Sequence, residues 1–270
     1  MTTLGTWNTA IRMEDAPNRA ESLPLRVLVA SALGSIVEPL LSSRYSTVEV
    51  VTSRAALSEK LPGSLVFDVA VVDLIWNQFE TEWTFDGLDV LDALATNGRS
   101  AAVLIAVHGY DAEHDYLDEA FDHPLVHGII LKSDGQGVLF AAIEALAAGG
   151  EFYSEGLPGE IFHSDRATVA RWFDAVPVAA HVAGAIASKR ASTWSQVASA
   201  TSFAESYVSA APQKFGDGLY SLGEVSDPGD VNQATIFRWS GEHARYILSW
   251  CRRHGLSDYS RPPRLTPGGS

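Results

Sequence analysis

The sequence predicts an α/β protein, with a doubly wound parallel sheet of five strands followed by a mainly α-helical second part. Three observations predict it. Phe67–Leu74, FDVAVVDL, is apolar at four successive positions, Val69 to Val72, so both faces of such a strand are buried, as in the middle of a parallel sheet. Short apolar runs then alternate with segments of helical spacing up to Gly149-Gly150. Beyond Ser154-Glu155-Gly156-Leu157-Pro158-Gly159, a stretch with the composition of a domain boundary, the chain is Ala-rich and helical in character.

The elements follow in order. Residues 1–24 are polar, mixed in charge and aperiodic, and read as a loose arm. Arg26–Ala30, RVLVA, is a first strand, after which Ile36, Val37, Leu40 and Leu41 share one helical face. Val48–Val51 is a second strand, and Arg54–Leu61 a short helix stopped by Pro62-Gly63. The strand ending in Asp73 is the third. An aromatic and acidic loop, NQFETEWTF, leads to a helix from Asp86-Gly87 in which Leu88, Leu91 and Ala95 recur. Ala101–Val107 is a fourth strand, Leu117, Ala120 and Phe121 mark a helix, and Val126–Leu131 is a fifth strand. Leu139, Ile143 and Leu146 stripe the last helix of this half.

Composition bounds the function. An apolar fraction of 46% over 270 residues supplies cores for two domains. The net charge of −14 is unevenly spread: residues 1–164 hold 8 basic against 24 acidic side chains, and residues 165–270 hold 11 against 9. Only the second half approaches phosphates without strong repulsion. The single cysteine, Cys251, excludes an internal disulfide framework and fits a reducing cytoplasm, the expected location. No apolar run reaches signal-peptide or membrane-spanning length, so no membrane partner is expected.

Asp73 falls at the carboxyl end of a central strand, the edge where open α/β sheets place their chemistry. RVLVA, AVVDL, Asp86-Gly87-Leu88 and the long segment HGIILKSDGQGVLFAAIEALAAGGEFYS together resemble the receiver domain of the NarL/FixJ class of bacterial response regulators, over about residues 25–153. The resemblance implies that Asp73 stands at the phosphoacceptor position and Lys132 at the phosphate-sensing lysine. It also exposes departures. The acidic pair that holds Mg²⁺ in that family is here Ser31 and Ala32, and the fourth-strand hydroxyl position falls at Val107. Glu80, Glu82 and Asp86 of the longer loop are the remaining carboxylates near Asp73 in sequence. The expectation is that Asp73 and Lys132 form a structural ion pair, that no cofactor or metal is held, and that the domain is not phosphorylated in the usual way.

Other chemistries fit less well. A haloacid-dehalogenase-like phosphatase needs a second aspartate where Ile75 stands, and a dinucleotide fold needs more than Gly34 after the first strand. His108, Asp111, His114 and Asp115 cluster beyond the fourth strand, in the manner of a solvated polar turn more than of a metal site. No nucleophile, base and orienter occur together, so no enzyme is expected.

Past a linker at 154–164, residues 165–270 fit a helix-turn-helix. Val197 and Ala198 lie on a first helix, Thr201-Ser202 at the turn, Phe203 opens a second helix and Val208 anchors it. HARYILSWCRRHGLSD resembles the last helix of the LuxR-type DNA-binding domain that follows such receivers, which implies double-stranded DNA as partner and a homodimer contact on the face of Ile247, Trp250 and Cys251. Ser202, Glu205, Ser206 and Ser209 are the expected groove-facing residues, with Lys189, Arg190, Lys214, Arg238 and Arg245 drawing phosphate and Arg252, Arg253, Arg261 and Arg264 forming a basic end. Pro212 is expected to end the second helix early, and residues 216–241 to form a hairpin or wing. The function expected is a DNA-binding transcription regulator controlled by a small-molecule ligand or partner protein at the altered Asp73 pocket. A protein-interaction adaptor that does not bind DNA is the alternative.

Overall fold

The computed structural model describes residues 23–62, 66–76, 83–157, 159, 167–256 and 259. Most of the expected arm, Glu80 and Glu82, most of the linker, and Arg261 and Arg264 lie outside the described residues. The chain forms two compact units, 1–164 and 165–270.

In the first unit the strands are β1 (Leu23–Ala30), β2 (Tyr45–Val51), β3 (Val69–Asp73), β4 (Ala102–Val107), β5 (Val126–Leu131) and β6 (Phe152–Tyr153), all parallel in the order β2-β1-β3-β4-β5-β6. The helices are α1 (Gly34–Ser42), α2 (Arg54–Lys60), α3 (Gly87–Thr96), α4 (His114–Phe121) and α5 (Gln136–Ala147). Every residue of β3 is buried, as its unbroken apolar run requires. Leu139, Ala142, Ile143 and Leu146 of α5 pack on Val69, Val71, Leu104 and Ile130. In α1 only the Val37 and Leu41 row turns to this core, while Ile36 stays exposed. Four adjacent apolar residues on a helix form two rows, and one sheet face buries one of them.

A sixth strand joins the five expected. Two residues, Phe152 and Tyr153, are too short a run for periodicity to reveal. They pair with Gly128 and Ile129, and Gly128 permits the approach, since a Cβ there would sit 2.6 Å from the Phe152 carbonyl oxygen. The direction in which successive strands are added reverses between β1 and β3, so the carboxyl ends of these two parallel strands open the crevice in which such folds place ligands.

The second unit is helical: α6 (Val169–Ala175), α7 (Pro177–Ala187), α8 (Trp194–Thr201), α9 (Glu205–Ser209), α10 (Ala211–Ser221), α11 (Gln233–Glu242) and α12 (Ala244–Arg253). Helix α7 is central, packing against α6, α8, α10, α11 and α12. Its run of Ala, Val and Gly lets those neighbours come close: a Cβ on Gly184 would lie 2.9 Å from the Cys251 Sγ and 3.0 Å from the Tyr259 ring. Around it Trp172, Phe173, Phe215, Trp239 and Trp250 interlock edge to face, with Phe173 and Trp250 centroids 5.2 Å apart.

Two expectations for this unit change. Residues 216–241 hold no hairpin. Described throughout, they are the end of α10, a 3-10 turn at Pro228–Asp230, and α11, which is capped by the Asn232 side chain accepting from the Thr235 N–H. The face of α12 expected to meet a second copy is interior. Ile247 and Cys251 are fully buried and Trp250 nearly so, because the helix docks on α7. Trp250→Glu is therefore expected to place a carboxylate against Phe173 and to cost more than the roughly 3–5 kcal/mol of a buried Trp truncation. Urea unfolding followed by tryptophan fluorescence checks this; a folded monomer of near-native stability would restore the dimer reading.

Candidate functional site

The candidate site is built on the carboxyl ends of β1, β3, β4 and β5. Asp73 is the last residue of β3 and is only 9% exposed. Both carboxylate oxygens are engaged. The Lys132 ammonium, just past β5, donates to Oδ1 at 3.0 Å, and the Ser31 hydroxyl, just past β1, donates to Oδ2. Ser31 Oγ in turn accepts from the Leu33 N–H at 3.0 Å, which fixes the hydroxyl while it turns the chain into α1. A buried carboxylate is tolerable only when its lone pairs are met, and here a cation and a hydroxyl meet them.

The floor of the site is rigid. Trp76 Nε1 donates to the Asp73 carbonyl at 3.1 Å. Gly87, the first residue of α3, lies so close to β3 that a Cβ would come within 2.6 Å of the Asp73 carbonyl oxygen, so only glycine fits. Asp86 caps α3 by accepting from the Leu88 and Asp89 N–H groups. One of its two carboxylate oxygens, Oδ1, is thus committed to the helix terminus.

Two members of the site escaped sequence reasoning in their actual roles. His108, read in the sequence with Asp111, His114 and Asp115, turns instead to Lys132, whose ammonium lies 3.3 Å from its Nε2. Burial first, and the Lys132 charge second, hold the imidazole below its usual pKa range against the opposing pull of Glu113 and Asp73. The buried Glu113 accepts from the N–H groups of His108, Gly109 and Tyr110, so one side chain holds the whole β4–α4 turn. An acidic residue three positions past a turn, just ahead of a helix, is a signal the sequence did contain. Tyr110 stacks on His108 at 5.3 Å and is exposed.

Ser31, Asp73 and Lys132 are brought together. Ala32 and Val107 contribute no polar side-chain atom, and Val107 is fully buried. An octahedral Mg²⁺ demands carboxylate oxygens free to turn toward it. With one oxygen of Asp73 on an ammonium, the other on a hydroxyl and one oxygen of Asp86 on a helix terminus, the described residues do not bring together the carboxylates that ion needs.

In the second unit, Val197, Ala198 and Val208 are buried as expected, and Ser202 turns the chain between α8 and α9 in the left-handed conformation, φ 59°. Helix α9 starts at Glu205 rather than Phe203 and runs only to Ser209, before α10 opens with Pro212 in its first turn. Ser202, Glu205, Ser206 and Ser209 are all exposed, one carboxylate and no cation among them. Lys189 and Arg190 follow α7 and are exposed, as is Arg238 on α11. Lys214 on α10 is half-buried, its ammonium 4.3 Å from the Tyr207 ring centre and 3.3 Å from the Tyr207 hydroxyl. With Arg245 on α12, the expected cations come from four separate places in the fold.

Ser31→Ala is expected to leave Oδ2 of Asp73 buried and unmet, at about 1–3 kcal/mol, and Lys132→Met to cost about 3–5 kcal/mol by stranding the charge; urea melts of the purified chain check both. Because His108 titrates lower when folded than unfolded, the unfolded chain binds more protons in acid. The contribution of His108 is complete above about pH 6.5 and is lost as pH falls below it. Comparing wild-type melts with those of His108→Gln across that range tests the sign.

No protein-family model and no curated protein matches the chain. Among solved structures, the chain is similar to an adenylate cyclase from Rhodopirellula baltica at 19% identity, covering 47% of this chain and 89% of that one, with a TM-score of 0.40. It is similar to the two-component response regulator RcsB in complex with DNA at 18% identity, covering 82% and 99%, with a TM-score of 0.45. RcsB from Salmonella enterica serovar Typhimurium, bound to promoter rprA in the presence of phosphomimetic BeF3-, is similar at 15% identity, covering 80% and 98%, with a TM-score of 0.41. Superpositions this loose assign no residue its role; the architecture itself is an α/β unit followed by a helical unit.

Proposed function

We propose that the chain is a DNA-binding transcription regulator of the response-regulator kind whose receiver-like unit is controlled without conventional aspartyl phosphorylation. The observation that carries this reading is the Ser31–Asp73–Lys132 arrangement. A nucleophilic carboxylate needs an oxygen turned to the phosphoryl donor and a metal to neutralise the transferring group. Asp73 has both oxygens engaged from within the protein. Control then comes from a ligand or a partner protein at the rim of this pocket, where Leu33, Ile36 and Tyr110 follow the carboxyl ends of β1 and β4 and are exposed. A partner protein suits such apolar side chains. The proposal includes a homodimer, with its contact outside the buried residues of α12, and a cytoplasmic location. No described helix is long and apolar enough to cross a membrane.

The second unit supports the DNA part through the α8–turn–α9 geometry, with α9 exposed on its outer side, and through the near balance of charge in residues 165–270. One observation favours the adaptor reading. A five-residue α9 whose expected reading face offers one carboxylate and no cation attracts phosphate weakly.

The test has two arms. Acetyl phosphate or beryllofluoride with Mg²⁺ is expected to leave the intact mass and the DNA affinity unchanged; stoichiometric phosphate on Asp73 would overturn the control reading. In low salt the full chain is expected to bind duplex DNA, with log K falling by about 0.9 per phosphate contact on log salt, and Lys214→Ala to weaken every sequence alike. No binding at any salt would leave the adaptor in place.

A further inference from the structure

The second unit carries a cleft that the DNA reading does not use. It opens between α6 and α10, with a cavity volume of about 340 Å³, within the usual range for a small-molecule site. Its floor is apolar. The Trp172 indole, only 9% exposed, lies against the α10 backbone where residue 218 is glycine; a Cβ there would come within 2.2 Å of the ring. Any other residue would push the indole away and close the floor. Val176 and Leu222 continue this surface. The rim is polar and its balance is positive, with Arg171 and Lys214 against Asp217.

We propose that this cleft binds a small organic anion with an apolar body, and that Lys214 couples its occupancy to the outer face of α9. An apolar body matches the floor of Trp172, Val176 and Leu222, and a carboxylate or similar group at its edge would meet the two cations of the rim. The coupling follows from where Lys214 already points. Its ammonium rests on Tyr207, an exposed residue of α9, while the same side chain lines the cleft. A lysine head on a flexible four-carbon stem is drawn from an aromatic face toward a carboxylate, the stronger partner for an ammonium. An anion in the cleft therefore competes with Tyr207 for it, and release of the lysine changes the charge and the aromatic surface that α9 presents.

The site does not depend on DNA binding, so the test uses the full chain without DNA. The probe is benzoate, with benzamide as its uncharged counterpart, followed by calorimetry and by amide NMR. Benzoate is expected to bind saturably and one to one, and benzamide at least about tenfold more weakly, as loss of a charge-assisted contact requires. Arg171→Gln is expected to weaken benzoate about fivefold or more, by the same reasoning. Tyr207→Phe, which frees Lys214 of one hydrogen bond, is expected to tighten it by about twofold. Ser221→Phe, which fills the cleft from its exposed rim, is expected to abolish binding while the amide spectrum stays that of the folded chain. Absence of saturation up to about 20 mM benzoate, equal binding of benzamide, or undiminished binding by folded Ser221→Phe overturns the proposal.

Discussion

A carboxylate sealed at the end of a central strand constrains everything around it. Asp73 is buried by the very run of valines that makes β3 a core strand, so its charge has to be met by groups delivered from neighbouring strands. Ser31 arrives from β1 and Lys132 from β5, on opposite sides of β3 in the sheet. The strand order, the turn into α1 and the turn after β5 are thus all fixed against one side chain. Stranding that charge by removing a partner is far more costly than the net worth of the pair, which makes the arrangement a specification of geometry more than a source of stability.

The same logic separates the two units. In the first, polar groups are brought to a common point and satisfied there. In the second, the organising constraint is steric: a central helix of small residues, α7, lets α11 and α12 approach, and a set of interlocked aromatic rings fills what remains. Cys251 belongs to that interior, its thiol pushed by burial up to about 12. It is a packing residue, chemically quiet at neutral pH.

How much of this was legible in the sequence follows from the range of each signal. Strand β3 and helix α3 were readable because an unbroken apolar run and an Asp-Gly helix start are local patterns. The Asp73–Lys132 pair was reachable through the family resemblance, and Ser31 as a departure from it. That the serine would donate to Asp73 required the β1–β3 register, which no local pattern encodes. His108 was misplaced because its sequence neighbours are acidic while its spatial neighbour, Lys132, is 24 residues away. The α12 face was misassigned for a related reason: an amphipathic helix shows which side is apolar but not whether a sister helix or a sister molecule covers it. Segment 216–241 looked like a hairpin because Gly, Asp and Pro mark turns of every kind, and here the turns separate helices.

One small feature ties the end of the first unit's sheet to its own pocket. Strand β6 is only two residues long, yet it binds the chain's exit to β5. Beyond it the Ser154 N–H donates to the Ile129 carbonyl, and the Ser154 hydroxyl accepts from the Leu131 N–H. Leu131 immediately precedes Lys132. The chain leaving β6 is therefore clamped at Ser154 to the backbone beside the lysine that holds Asp73. Displacing Lys132 therefore pulls on the hydrogen bonds that hold the chain where it leaves β6, so the pocket and this edge of the sheet move as one.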